Sequence, residues 1–192
     1  YIPNYGEFSE LRWWVSGYGI KDRVIRYAGQ ECPFGSDLMF DLRGVEFGVE
    51  ICEDLMAPHS PSVQLATDGA QIILNLSASN ELAGKRAYRQ ELVRFQSAAC
   101  NCVYAFCSAG YTESTSDLVY SGHSLIAENG RILAENDSPI ATDYLLVQDC
   151  DLGRVNADRC KKQYYSYCGG VDDKPKGCIT YAPLRSDGSL YP

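Results

Sequence analysis

Between residues 45 and 108 the sequence switches repeatedly between a period of two and a period near three and a half, and that alternation restricts the fold more than any other feature. "VEFGVEI" puts Val45, Phe47, Val49 and Ile51 on every second position, the pattern of a half-buried strand. Pro58 and Pro61 then break the chain, and Ser60 or Ser62 can cap a short helix that turns Val63, Leu65 and Ala66 inward before Asp68-Gly69 ends it. "AQIILNLSAS" (70–79) is a nearly continuous apolar run of strand length, as for a strand covered on both faces. Residues 84–102 carry Tyr88, Leu92, Phe95 and Ala99 at steps of three or four, the stripe of an amphipathic helix, and "VYAFCS" (103–108) returns as a strand. Asn129-Gly130 between two alternating runs predicts a β-hairpin. Residues 144–152 read as one more strand and 155–162 as a short helix. The order predicts an α/β layer of mixed strands with helices on one face. Residues 1–165 are expected to form this domain, and the Gly/Pro-rich 166–192 a loop-like tail or linker.

Composition narrows the function classes. With 192 residues, 45% of them hydrophobic, the chain can be one globular domain or a piece of a larger one. A net charge of −8 without a Lys/Arg cluster argues against nucleic acid as a partner. No apolar run is long enough for a membrane span, and the N-terminal residues lack a signal-peptide layout, so a soluble, cytoplasmic protein is expected. Nine cysteines is an odd number, and several sit in apolar runs, so most are expected to be reduced, buried small hydrophobes. With two histidines and no CxxC, no metal site is expected.

The alternating strand at 45–51 runs into Cys52 followed by Glu53 and Asp54, and packing alone gives no reason for two carboxylates beside a thiol. In open α/β sheets functional side chains gather where strands end, and Cys52 and Ser77/Ser79 are two such ends. A nucleophilic thiol needs a base and an oxyanion donor. His123 is a poor base, lying at the start of the hairpin region, and Glu53 can face the same site as Cys52 only if the chain turns between them.

Six stretches, "YIPNYGEFSELRWW" (1–14), "CPFGSDLMF" (32–40), "EICEDLM" (50–56), "NLSASNELAGK" (75–85), "QSAACNCVYAF" (96–106) and "STSDLVYSGHSLIAENGRILAE" (114–135), resemble in order and spacing the glutamine amidohydrolase domains of glutamine-dependent NAD⁺ synthetases, a branch of the nitrilase (carbon-nitrogen hydrolase) superfamily. The resemblance covers about the first three quarters of the chain. It implies part of a four-layer αββα sandwich in which Cys52 is the nucleophile of a Glu-Lys-Cys triad and attacks the side-chain amide of L-glutamine, giving a thioester and ammonia. The backbone N–H of Glu53 would help hold the oxyanion. Tyr5, Ser79 and Lys85 match positions that hold the substrate, and Phe8 and Glu53 match pocket walls.

The same resemblance puts the triad lysine and glutamate ahead of Tyr1, so the chain is expected to begin inside the domain and to be inactive by itself. Met56 stands where relatives usually carry Trp. The resemblance implies no cofactor in this domain, ATP and Mg²⁺ in a separate ammonia-accepting synthetase domain, and a homo-oligomeric parent. "RSDGSLY" (185–191) has the wrong order for a pyrophosphate loop. Two other readings compete: a nitrilase-superfamily amidase for a different amide, and a non-catalytic assembly module.

Overall fold

A computed structural model describes residues 1–18, 20, 23–136, 143–168 and 179–181. Its centre is the strand–helix alternation read above. Strand β4 (Val45–Ile51), helix α1 (Pro61–Asp68), strand β5 (Ile72–Ser77), helix α2 (Lys85–Ala99) and strand β6 (Val103–Ser108) follow one another, and β4, β5 and β6 pair in parallel. β7 (Leu125–Glu128) and β8 (Arg131–Glu135) form the expected hairpin, antiparallel to β6. Asn129 and Gly130 both take positive φ, +46° and +88°, the conformation that matches a tight turn to the twist of its strands. On the other side β3 (Met39–Leu42) runs antiparallel to β4, completing with β9 (Ile179–Tyr181) a seven-stranded sheet of order β8-β7-β6-β5-β4-β3-β9. A separate hairpin, β1 (Arg23–Tyr27) and β2 (Gln30–Phe34), stands outside it.

The pleat sorts the strand residues into two unlike faces. Gly48, Glu50, Ile73, Asn75, Tyr104 and Phe106 are buried, and they share the core with Leu65 and Ala66 of α1 and Val93 of α2. Gly48 lets α1 come close, since a Cβ there would lie 2.8 Å from Leu65 Cδ1. The opposite face carries Val49, Ile51, Leu74, Leu76 and Cys107, in register across three strands, and no helix covers it among the described residues. Ile51 is 62% and Leu76 55% exposed. One sheet with helices on one side is two layers, the part of the expected αββα sandwich that this chain supplies.

Several elements differ from the sequence reading. The long helix is shorter than the expected 84–102, because Gly84 takes φ +80° and Cys100 ends the hydrogen-bonded run. The strand expected at 144–152 is absent: 143–151 is irregular, with Leu145 and Val147 exposed, because a strand exists only where a neighbour completes its ladder. α3 (Leu152–Lys161) begins earlier than expected, capped by the Asp151 carboxylate accepting from Arg154 N–H at 2.9 Å, and α4 (Gln163–Cys168) was not expected. Of the tail read as a loop, 169–178 and 182–192 lie outside the described residues, and Ile179–Tyr181 forms β9. The eight described cysteines are free, but only Cys100 and Cys102 are buried. The expectation of mostly buried thiols fails because Cys107 faces the open side of the sheet, and Cys160 and Cys168 lie on exposed parts of α3 and α4. Among the described residues no helix is long and apolar enough to cross a membrane.

Candidate active site

β4 stays extended through Ile51, at φ −122° and ψ 119°, and the next residue reverses the chain: Cys52 takes φ +44°. For a residue with a Cβ this left-handed conformation costs on the order of 1–3 kcal/mol and persists only where the surroundings enforce it. The enforcement is local. Asp54 Oδ2 accepts the Ile51 N–H at 2.8 Å, and Asn75 Nδ2 reaches the Cys52 carbonyl oxygen at 3.5 Å. Beneath the turn the Glu50 carboxylate, 2% exposed, accepts from Ser60 Oγ at 2.8 Å, from the Ser62 N–H at 2.9 Å and from the Tyr104 hydroxyl. One carboxylate thus ties the end of β4 to the start of α1. Burial, then the charge of Glu50, pushes the Tyr104 hydroxyl well above its ordinary range, so it stays a donor.

The turn at Cys52 opens a single turn of 3₁₀-helix, Cys52–Met56, which answers the question about Glu53: because the chain bends there, both side chains face one cavity of about 190 Å³. All six site residues read from the sequence line it: Tyr5, Phe8, Cys52, Glu53, Ser79 and Lys85. The Tyr5 hydroxyl donates to Glu53 Oε1 at 2.7 Å, and that bond, with burial and the carboxylate charge, pushes the tyrosine up to about 12. Phe8 meets the Tyr5 ring edge to face, with centroids 6.1 Å apart. Ser79 sits just beyond β5, its N–H donating to Ser108 Oγ at 3.1 Å. Lys85 is the first residue of α2, where a cation is disfavoured by the helix dipole, and its Nζ donates to Asn80 Oδ1 at 3.0 Å. Met56 lines the same cavity. On its other side Cys52 borders a more open groove of about 710 Å³ that runs past Ile51, Leu76 and Cys107 along the uncovered sheet face.

The sequence reading missed Glu7 and Asn80, which also line the cavity. Asn80 Nδ2 donates to Glu7 Oε1 while its Oδ1 takes the Lys85 bond, so one buried amide joins an acid to a base. Both residues lie inside the stretches "PNYGEF" and "SASNELAGK", but nothing in their spacing shows that they meet. Also missed was the hub behind them. Arg89, 1% exposed, donates from Nε to His123 Nδ1 at 2.8 Å, from Nη1 to the Asn80 carbonyl at 3.3 Å and to Ser79 Oγ at 3.4 Å, and pairs with Glu81. Burial pushes the Glu81 carboxyl up, but bonds from Ser121 and Arg89 outweigh it and leave it below its ordinary value. With Nδ1 accepting, His123 carries its proton on Nε2, which meets Glu135 Oε1 at 2.8 Å. Burial lowers His123, the Glu135 bond opposes, and the Arg89 and Arg86 charges lower it further. His123 is buried behind the site and does not line the cavity, so it serves as no dyad partner for Cys52.

Comparison with known proteins places the chain in a family. The carbon-nitrogen hydrolase family model matches residues 6–159. The chain is 42% identical over 140 residues to a glutamine-dependent NAD⁺ synthetase of Mycobacterium bovis, an alignment covering 71% of this chain and 20% of that protein. It is 30% identical to the rat protein of the same name, covering 100% of this chain and 28% of that one. The crystal structure of a glutamine-dependent NAD⁺ synthetase from Cytophaga hutchinsonii superposes with a TM-score of 0.63 at 30% identity, covering 72% of this chain and 22% of that one. The chain therefore spans between a fifth and three tenths of the length of these relatives.

Proposed function

The chain belongs to the carbon-nitrogen hydrolase family, and on that premise we propose that it is part of the glutamine amidohydrolase domain of a glutamine-dependent NAD⁺ synthetase, with Cys52 as its nucleophile. The observation that carries this reading is the left-handed turn at Cys52, which aims the thiol and Glu53 into one cavity together with Tyr5, Phe8, Ser79 and Lys85.

The chemistry follows from the parts. Cys52 Sγ, deprotonated, attacks the carbonyl carbon of the glutamine side-chain amide, and the carbonyl π electrons move onto oxygen. That oxyanion falls to the backbone N–H of Glu53, which lies in the first turn of a helix, where such groups lack a partner inside the helix. Collapse of the intermediate expels the amide nitrogen, protonated as ammonia, and leaves a thioester that water cleaves to glutamate and free thiol. Lys85 and Ser79 take the α-carboxylate, and Tyr5 and Phe8 flank the aliphatic part. The Glu53 carboxylate accepts from Tyr5 and faces the cavity as a wall, not as the base. We assign the base and the second oxyanion donor, the triad glutamate and lysine, to sequence ahead of Tyr1 in the full-length gene product.

By itself the chain should then hydrolyse no glutamine, since a thiol nucleophile needs a base to take its proton. The ammonia would go to a separate synthetase domain that uses ATP and Mg²⁺ to amidate nicotinic acid adenine dinucleotide in the cytoplasm. The step derived above needs only a thiol, a base and N–H donors.

The test is alkylation of the full-length gene product by a glutamine-mimicking diazoketone. Modification at Cys52, with loss of glutamine-dependent but not ammonia-dependent NAD⁺ synthesis, is expected. Labelling at Cys107 instead, or turnover of simple aliphatic amides without turnover of glutamine, would overturn the reading.

A further inference from the structure

Asn75 is fully buried and lines neither of the two cavities beside Cys52, yet its side chain reaches the backbone of the nucleophile. Its amide is the meeting point of four groups. Nδ2 lies 3.1 Å from the Tyr104 hydroxyl oxygen, 3.4 Å from Glu50 Oε1 and 3.5 Å from the Cys52 carbonyl oxygen, and Oδ1 accepts from Ser77 Oγ at 2.6 Å. Chemistry decides which way this amide faces. A carboxylate and a backbone carbonyl only accept, so the NH₂ group must face Glu50 and Cys52, which leaves the oxygen to the Ser77 hydroxyl.

The Cys52 carbonyl belongs to the peptide that joins the nucleophile to Glu53. In a trans peptide the C=O and the N–H point in opposite directions within one plane, so fixing one fixes the other. Asn75 draws the carbonyl toward the core. The Glu53 N–H is therefore turned out of the core, the side on which Cys52 and Glu53 border the cavity. At 3.5 Å the bond is long and adds little to stability, and its effect is directional: it selects one rotation of a peptide plane whose first residue holds a left-handed φ of +44°. Rotation is what an oxyanion donor tolerates least, because it works only within about 2.7–3.1 Å of the place where the charge forms.

We propose that Asn75 is the positioning residue of the oxyanion site, aiming the Glu53 N–H at the oxygen of the attacked amide by holding the Cys52 carbonyl. The proposal rests on the glutamine amidohydrolase reading, with Cys52 as nucleophile, and adds to it the side chain that sets the direction of the backbone donor. Glu50 and Tyr104 hold the amide nitrogen and Ser77 holds its oxygen, so the side chain is kept from turning.

Two reactions of one thiol separate this role from a structural one. Hydrolysis of glutamine builds an oxyanion, whereas alkylation by iodoacetamide displaces iodide from a saturated carbon and builds none. Both are measured on the full-length gene product as wild type, Asn75→Ala and Ser77→Ala. Alkylation of Cys52 is followed by peptide mass spectrometry, and ammonia-dependent NAD⁺ synthesis serves as the control for folding. Asn75→Ala should lower kcat for glutamine about 10- to 100-fold, short of the roughly hundredfold to thousandfold that follows outright loss of a donor. KM and the alkylation rate of Cys52 should stay within about twofold of the wild type. Ser77→Ala frees the Asn75 oxygen and should give the same pattern with a smaller loss, about 2- to 12-fold, the worth of one neutral hydrogen bond. Should Asn75→Ala not fold, Ser77→Ala decides alone. Alkylation falling in step with turnover would make Asn75 a support of the thiol or of the fold and overturn the proposal, as would an unchanged kcat or a loss carried by KM. A wild type inactive on glutamine would instead bring down the amidohydrolase reading itself, and this inference with it.

Discussion

Replacing Lys85 with alanine tests its proposed hold on the α-carboxylate of the substrate. The side chain is half buried, and its Nζ donates to Asn80 Oδ1 at 3.0 Å. Truncation leaves the wall of the cavity standing, because Asn80 remains bridged to Tyr120, bonded through its carbonyl to Arg89 at 3.3 Å and through Nδ2 to Glu7. The loss is therefore that of one charge-assisted bond to the substrate carboxylate, about 1.5–3 kcal/mol, or roughly 10- to 150-fold in affinity. A carboxylate remote from the reacting amide is held equally in the ground and transition states, so the loss should fall on KM with little change in kcat. The assay is steady-state ammonia release by the full-length gene product, with ammonia-driven NAD⁺ synthesis as a control for folding. A KM within about twofold of the wild type, or a fall in kcat at constant KM, would refute the reasoning.

Two further outcomes concern stability. His123 is lowered from its ordinary 6.5, so the unfolded chain binds a proton more readily than the folded one. Its contribution is complete above about pH 6.5 and is lost as the pH falls toward the folded value, with a further loss below about 4.5 as Glu81 and Glu135, both held low, take up protons. The urea midpoint should drop between pH 7.5 and 5.5 and should stay level over that range in His123→Gln, and a sloping profile in that variant would remove His123 as the cause. Gly48→Ala puts a Cβ 2.8 Å from Leu65 Cδ1 and 3.1 Å from Leu65 Cβ, so α1 must shift. Overpacking of this kind costs about 1–3 kcal/mol, and an unchanged midpoint in chemical denaturation would show that α1 yields freely.

What could be read in the sequence follows from what is local. β4, α1, β5, α2 and β6 announce themselves because each has its own period, and Asn129-Gly130 fixes its hairpin by backbone preference alone. β3 and β9 were missed because short edge strands are defined by their neighbour more than by their own residues. The stretch after residue 143 failed in the opposite sense: its composition suits a strand, but no ladder forms around it. Within the site, strand ends pointed to Cys52 and Ser79 and the neighbouring carboxylate to Glu53, while Tyr5, Phe8 and Lys85 were carried by a resemblance alone; that Cys52 and Glu53 face one cavity depends on the φ of Cys52, which no composition rule states. Arg89 looked like one more charge on an amphipathic helix. Its burial is legible only once Ser79, Asn80 and His123 are known to lie around it.

The left-handed turn at Cys52 also sets two selective pressures against each other. Cysteine is a poor residue for that backbone conformation, whereas glycine adopts it freely and asparagine more readily than most. A library at position 52 sorted only for thermal resistance would converge on glycine or asparagine and discard the thiol. The same library sorted for glutamine turnover would return cysteine every time. On the proposed role of Cys52, the opposition between those two winners would mark position 52 as a place where activity is maintained at the expense of robustness.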